Sequence, residues 1–179
     1  MISDKLAVEL VPHRAEWAEM ARSESVRLKG ALGDLLIAVH HIGSTAIPGI
    51  MAKPIIDLIP VVTDIEALDS AAPKLEALGY EYCGEFGIAG RRYCRLTDPV
   101  TGRRTFQLHC YRPDAAEFPR HLAFRNYLCA HPALAKEYEA EKIRAAGLHP
   151  DDVIAYNGAK NDWIRRTERD ALAWRKARG

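Results

Sequence analysis

Asp57 is a lone carboxylate inside the apolar run Pro54–Val62 of a 179-residue chain. Period-2 alternation in an extended strand puts Ile55, Asp57 and Ile59 on one face, and Ile56 and Leu58 on the other. A carboxylate placed there must be paired with a metal, a cation or backbone N–H groups. The stretch before it offers complementary chemistry: Gly43-Ser44, small residues, then Pro48-Gly49. Glycine lets the backbone approach a ligand closely, and Ser44 or Thr45 can cap a following helix. A helix N-terminus there would present free N–H groups and partial positive charge to an anion. The chemistry implied is a phosphate held beside a metal. Lys53, just ahead of the strand, either meets that phosphate as a point charge or is a solvated loop lysine.

A second stretch carries the other half of this chemistry. Along Arg104–Tyr111, Phe106, Leu108 and Cys110 share one face, while Gln107, His109 and Tyr111 share the other. The first set reads as core and the second as the wall of a cleft. Asp57 and His109 are the candidate catalytic pair, close enough on a shared cleft floor to hold one metal ion or one water. Arg91 and Arg92 alternate, so one of them faces the same way as Gln107 and His109; Arg92 is the candidate. Of the neighbours His40 and His41, only one can point into a shared cleft. Arg125 interrupts a helical apolar stripe, either snorkelling, pairing with a neighbouring helix, or aimed at an anion. Lys160 interrupts another stripe, and an inward lysine needs a phosphate or a carboxylate such as Asp57.

The elements that position these residues alternate along the chain. Ala7–Val11 reads as a short strand and Arg14–Lys29 as a packing helix with Trp17, Met20, Ala21 and Leu28 inward. Leu35–Val39 reads as a strand covered on both faces. Thr63 and Glu66 form a capping box for a helix that ends at Gly79, with Ile65, Leu68, Ala72, Leu75 and Leu78 on one face. Strands follow near Tyr80–Cys83, Arg91–Thr97 and Arg104–Tyr111, the last two joined through Asp98–Gly102. Asp114 and Glu117 predict the cap of a helix ending before Pro132. A helix from Pro132 carries Leu134, Ala135, Tyr138 and Ile143 inward, and a final helix covers about Asp151–Arg175.

The bulk composition sets limits on partners. With 48% hydrophobic and 27% charged residues and a net charge of +1, no global field draws nucleic acid or a membrane surface. The four cysteines, at 83, 94, 110 and 129, include no C-x-x-C pair, so reduced thiols in a cytoplasmic protein are expected. No apolar run approaches membrane-spanning length. The length suits one domain over residues 1–179.

The stretch H-I-G-S-T-A-I-P-G-I-M-A-K-P-I-I-D-L (His41–Leu58) resembles the signature of the GrpB family, within the polymerase-beta-like nucleotidyltransferase superfamily. The likeness continues in G-R-R-Y (Gly90–Tyr93), Gln107-Leu108-His109 and F-R-N-Y-L-C-A-H-P (Phe124–Pro132), and covers nearly the whole chain. It implies an α+β, nucleotidyltransferase-like fold: a small mixed sheet covered by helices, with C-terminal helices closing one side. It implies a Gly-Ser turn and an acidic strand facing one cleft, and it favours His41 over His40 as a metal ligand.

The chain departs from the superfamily at Ile59, where a second carboxylate usually stands two residues after the first. Two oxygen ligands at that spacing would grip Mg²⁺ for in-line phosphoryl transfer. With Asp57 alone, and His109 near where a third carboxylate is expected, Mn²⁺, Fe²⁺ or Zn²⁺ suits the donors better than Mg²⁺. Three readings follow. One is nucleotidyl or phosphoryl transfer to a small molecule with a single metal, with Gly43 and Ser44 cradling phosphates and Lys53, Arg92 and Lys160 neutralising charge. The second is a catalytically degenerate binder of a nucleotide or phosphorylated metabolite. The third is a metal-dependent hydrolase using His41, Asp57 and His109.

Overall fold

The computed structural model describes residues 7–179. It is a mixed α+β fold in which the chain forms two compact units, each drawn from separate stretches of the sequence, one of Arg14–Ala46 and Ile55–Pro119, the other of Ile47–Pro54, Arg120–Gly179 and the described residues up to His13.

The first unit is built on a five-stranded mixed sheet. Its strands are β1 (Leu36–Ile42), β2 (Ile56–Val62), β3 (Tyr80–Tyr82), β4 (Arg92–Thr97) and β5 (Arg104–Cys110), in the spatial order β1-β2-β5-β4-β3. β2 runs antiparallel to β1 and parallel to β5, and the other pairs are antiparallel. β2 has neighbours on both edges, and its side chains are buried except that of Asp57, which is half-buried. The expectation that the first core strand is covered on both faces fails. β1 lies at the sheet edge, and Ile37 is exposed.

Helix α1 (Glu16–Leu32) buries Trp17, Ala21 and Leu28 as predicted, whereas Met20 faces out. Glu24, which breaks the apolar stripe in the sequence, is buried and accepts hydrogen bonds from Tyr80 Oη (2.8 Å) and Arg27 Nη1 (3.0 Å). A charge inside a helix face is thus satisfied by a phenol and a guanidinium. The single helix expected between Ile65 and Leu78 is two, α2 (Ile65–Ser70) and α3 (Ala72–Ala77). Pro73, with no N–H to give, opens α3. The cap is Asp64 rather than Thr63: its carboxylate accepts from Ala67 N at 2.6 Å.

The second unit contains α5 (Pro132–Leu148), α6 (Val153–Arg178) and most of α4 (Glu117–Ala130). Asp114 does not cap α4, which begins at Glu117; its carboxylate pairs with Arg112. Ile47 and Ile50 pack with Leu128, Ala135 and Tyr138. Helix α5 holds the 47–54 segment by side-chain bonds: Lys136 Nζ to Gly49 O, Met51 N to Glu139 Oε1, and Lys142 Nζ to Met51 O. In α5 the buried face is Ala135, Tyr138, Lys142 and Ala145, so Ile143 points outward, contrary to its predicted inward place. The predicted strand at Ala7–Val11 is only an isolated antiparallel bridge between Val11 and Ala52. No helix of the described residues is long and apolar enough to cross a membrane.

Candidate functional site

Asp57 and His109 meet. β2 pairs with β5 so that Asp57 lies opposite Gln107, which puts His109, two residues on, diagonally across the same face. Asp57 Oδ1 is 3.2 Å from His109 Nε2, and the two side chains are 29% and 16% exposed. The pair is thus sheltered but reachable, as a ligand-contacting pair must be. Gln107 shares this face, and across β1 so do Ile42, opposite Asp57, and His40, opposite Ile59.

The turn after β1 closes on the same carboxylate. Gly43 has φ 72°, a left-handed backbone that glycine adopts at no steric cost. A β-carbon there would lie 2.8 Å from Asp57 Oδ2. Glycine is therefore required twice, for conformation and for room. After it, Ser44–Ala46 makes one short 3-10 turn, with Ala46 N bonded to Gly43 O. The helix N-terminus predicted after Gly43-Ser44 does not form, and a turn of this length carries no appreciable macrodipole.

Two predicted partners on the same sheet, His41 and Arg92, face the other way. His41 is opposite Leu58, so register turns it to the face away from Asp57; its Nε2 bonds Thr45 Oγ1 at 2.8 Å, and Thr45 is buried. This contact fixes the turn from behind. Arg92 is opposite Cys110, also on the far face, where its guanidinium forks onto Asp69 at 2.6 and 2.7 Å. That bond holds the Asp69 carboxyl below its usual range and raises the arginine further. Arg92 thus has a structural role linking β4 to α2. Lys53, Arg125 and Lys160 belong to the second unit. Arg125 bonds the Asn126 side chain, and burial lowers its pKa.

Within the second unit, Lys53 and Lys160 both lie over the Tyr156 ring, at 5.4 and 3.8 Å from its centroid. Lys160 is buried, as its inward spacing requires. Sequence reasoning missed Lys142, which is 1% exposed, lies 4.8 Å over the Tyr138 ring and donates to Met51 O. Burial pushes its amine down to about 7, opposed by Glu139 and reinforced by Lys53. Its signal was available: Lys142 falls at helical spacing from Ala135, Tyr138 and Ala145.

The donors bear directly on a divalent metal. Adjacent ligands of one octahedral ion stand about 3 Å apart, so the Asp57–His109 separation suits two neighbouring positions. Among the described residues no group of three or more His, Cys, Asp and Glu side chains could hold a metal ion, and Ile59, on the Asp57 face, is fully buried. The pair fits an ion whose remaining ligands come with a phosphate and from water, and does not fit a closed site built by the protein alone.

Comparison with known proteins places this geometry in a family. The family model described as "GrpB protein" matches residues 7–170. The chain is 43% identical over 174 residues to the UPF0157 protein YqkA of Bacillus subtilis, covering 97% of this chain; it spans about half, 50%, of that protein's length. The crystal structure of conserved protein GrpB from Enterococcus faecalis matches with a TM-score of 0.86 at 41% identity, over 92% of this chain and 98% of that one. The Cid1 poly(U) polymerase, solved bound to MgATP, matches with a TM-score of 0.51 at 15% identity, over 73% of this chain and 45% of that one, a likeness of fold alone. The fold is nucleotidyltransferase-like, and the chain belongs to the GrpB family.

Proposed function

We propose that this protein binds a nucleotide or other phosphorylated small molecule, with a divalent ion carried in by the phosphates and taken up by Asp57 and His109. The observation that carries the reading is the Asp57–His109 approach at 3.2 Å on neighbouring strands beside the Gly43 turn. The nucleotidyltransferase-like fold supports it. A carboxylate repels a phosphate directly, so Asp57 can hold one only through a cation between them. When bound, such an ion offers charge neutralisation and orientation of the phosphates. Asp57 and His109 fix where it sits, and Gly43 lets the chain approach without a side chain in the way.

The binding reading is preferred to two-metal transfer because the donor set is short. Ile59 occupies the second carboxylate position and is packed into the core. Single-metal nucleotidyl transfer is the second reading, favoured by the sheltered carboxylate–imidazole pair, whose spacing suits one ion beside a transferring phosphate. The hydrolase reading is not retained, since register turns His41 to the other face.

Calorimetry with ATP, with and without Mg²⁺ or Mn²⁺, tests the proposal. Binding is expected to need the ion, and Asp57→Asn is expected to abolish the ion-dependent part while leaving the fold intact. Affinity that is indifferent to both the ion and Asp57→Asn overturns it. Release of pyrophosphate by the wild type, lost in Asp57→Asn, would select transfer over binding alone.

A further inference from the structure

Phe86 is the one non-glycine residue among those described with a left-handed backbone, at φ 47°. A bulky side chain in that conformation is strained, and such strain persists only where the surroundings hold it. Here they do. Arg91 is buried, and its Nη2 donates to Phe86 O (2.6 Å) and Glu85 O (3.2 Å), while its Nε also reaches Glu85 O. The Glu85 carboxylate accepts from Gly90 N at 2.8 Å and closes the loop on itself. The loop is built as a rigid mount, and it carries an aromatic ring outward: Phe86 is 55% exposed.

That ring is connected to the candidate site. It stacks on Tyr93, centroids 5.0 Å apart and planes at 23°. Tyr93 in turn lies against the His109 ring at 5.5 Å. The Arg91 guanidinium, 5.2 Å over the Tyr93 ring, fixes the plane on which Phe86 rests. An exposed π-face therefore stands two ring contacts from the His109–Asp57 pair, held in place at a conformational cost. Covering Tyr93 needs only one face of the phenyl ring and gives no reason to leave the rest in water.

We propose that Phe86 is the stacking platform for the planar heteroaromatic base of the bound ligand. The inference rests on the nucleotide-binding reading above and narrows it: the ligand carries a nucleobase, which a sugar phosphate or bare polyphosphate lacks. Stacking uses the π-face that every base has, so it favours ring area, purine over pyrimidine, and does not read the base edge.

The test is calorimetry of ATP, UTP and tripolyphosphate, each with Mg²⁺, on the wild type, Phe86→Leu and Phe86→Trp. Leucine keeps apolar bulk without a π-face; tryptophan keeps the face. ATP is expected to bind the wild type more tightly than tripolyphosphate does. Phe86→Leu is expected to weaken ATP binding about tenfold or more and leave tripolyphosphate unchanged, with Phe86→Trp restoring ATP. Equal losses for ATP and tripolyphosphate, or no loss for ATP in Phe86→Leu, overturn the platform while leaving phosphate binding at Asp57 standing. Wild-type protein that binds none of the three probes overturns both.

Discussion

Gly43 and Asp57 share one volume: the carboxylate fills the space that any side chain at 43 would need, with Oδ2 only 2.8 Å from the missing β-carbon. The turn and the candidate ligand are therefore one structural unit, and a change at either residue is felt at the other.

Gly43→Ala should accordingly be costly twice over. A β-carbon in the left-handed region costs about 1–2 kcal/mol, and the carboxylate must also swing away. We expect at least that loss of stability in urea unfolding, together with loss of any ion-dependent ligand affinity as Asp57 leaves His109. A loss below about 0.5 kcal/mol would mean the turn relaxes freely and holds nothing in register.

The sequence made this pair legible because alternation along each strand places Asp57 and His109 on a polar side. It could not show that β2 and β5 are neighbours, since a parallel pairing such as Asp57 with Gln107, far apart in sequence, is set by the whole sheet. The same limit explains Arg92 and His41. Alternation says that adjacent residues face opposite ways, and only cross-strand register says which way, here fixed by Arg92 opposite Cys110 and His41 opposite Leu58. Lys142 was missed for another reason. Hydrophobicity favoured Ile143 as the inward residue, whereas the helix is phased by Ala135, Tyr138 and Ala145. The broken helix before Gly79 was written in Pro73. The left-handed Phe86 had no signal, because nothing in its side chain asks for that backbone.

Ile59→Asp would place a second carboxylate on the strand face that carries Asp57, and the structure sets its cost. Ile59 is fully buried on an interior strand, opposite His40 on β1. An unpaired carboxylate there should destabilise the fold by about 3–5 kcal/mol. If Asp57 and the new acid can share one ion, Mg²⁺ or Mn²⁺ should raise the Tm of Ile59→Asp well beyond its effect on the wild type. Thermal unfolding with and without each ion decides this; equal shifts in the two proteins would show that the position cannot contribute a ligand.

Lys142 should make stability depend on pH in an unusual direction. Burial lowers its amine from an ordinary 10.5 to about 7. Below pH 7 both folded and unfolded chains hold the proton, and the native state carries the full cost of a buried charge. Between about 7 and 10.5 the unfolded lysine is still charged while the native amine is neutral, so the unfolded state binds more protons and stability rises with pH. Above 10.5 the effect levels off. Glu139 facing the amine opposes this trend and Lys53 adds to it, so both must be kept in the comparison. Urea unfolding at pH 7 and pH 9.5 is expected to show wild-type stability rising by a few kcal/mol relative to Lys142→Met. At pH 7 the methionine variant should be neutral or more stable, since a buried charge replaced by an apolar side chain of similar length removes the desolvation cost. Parallel pH slopes in the two proteins would show that Lys142 stays protonated in the folded chain.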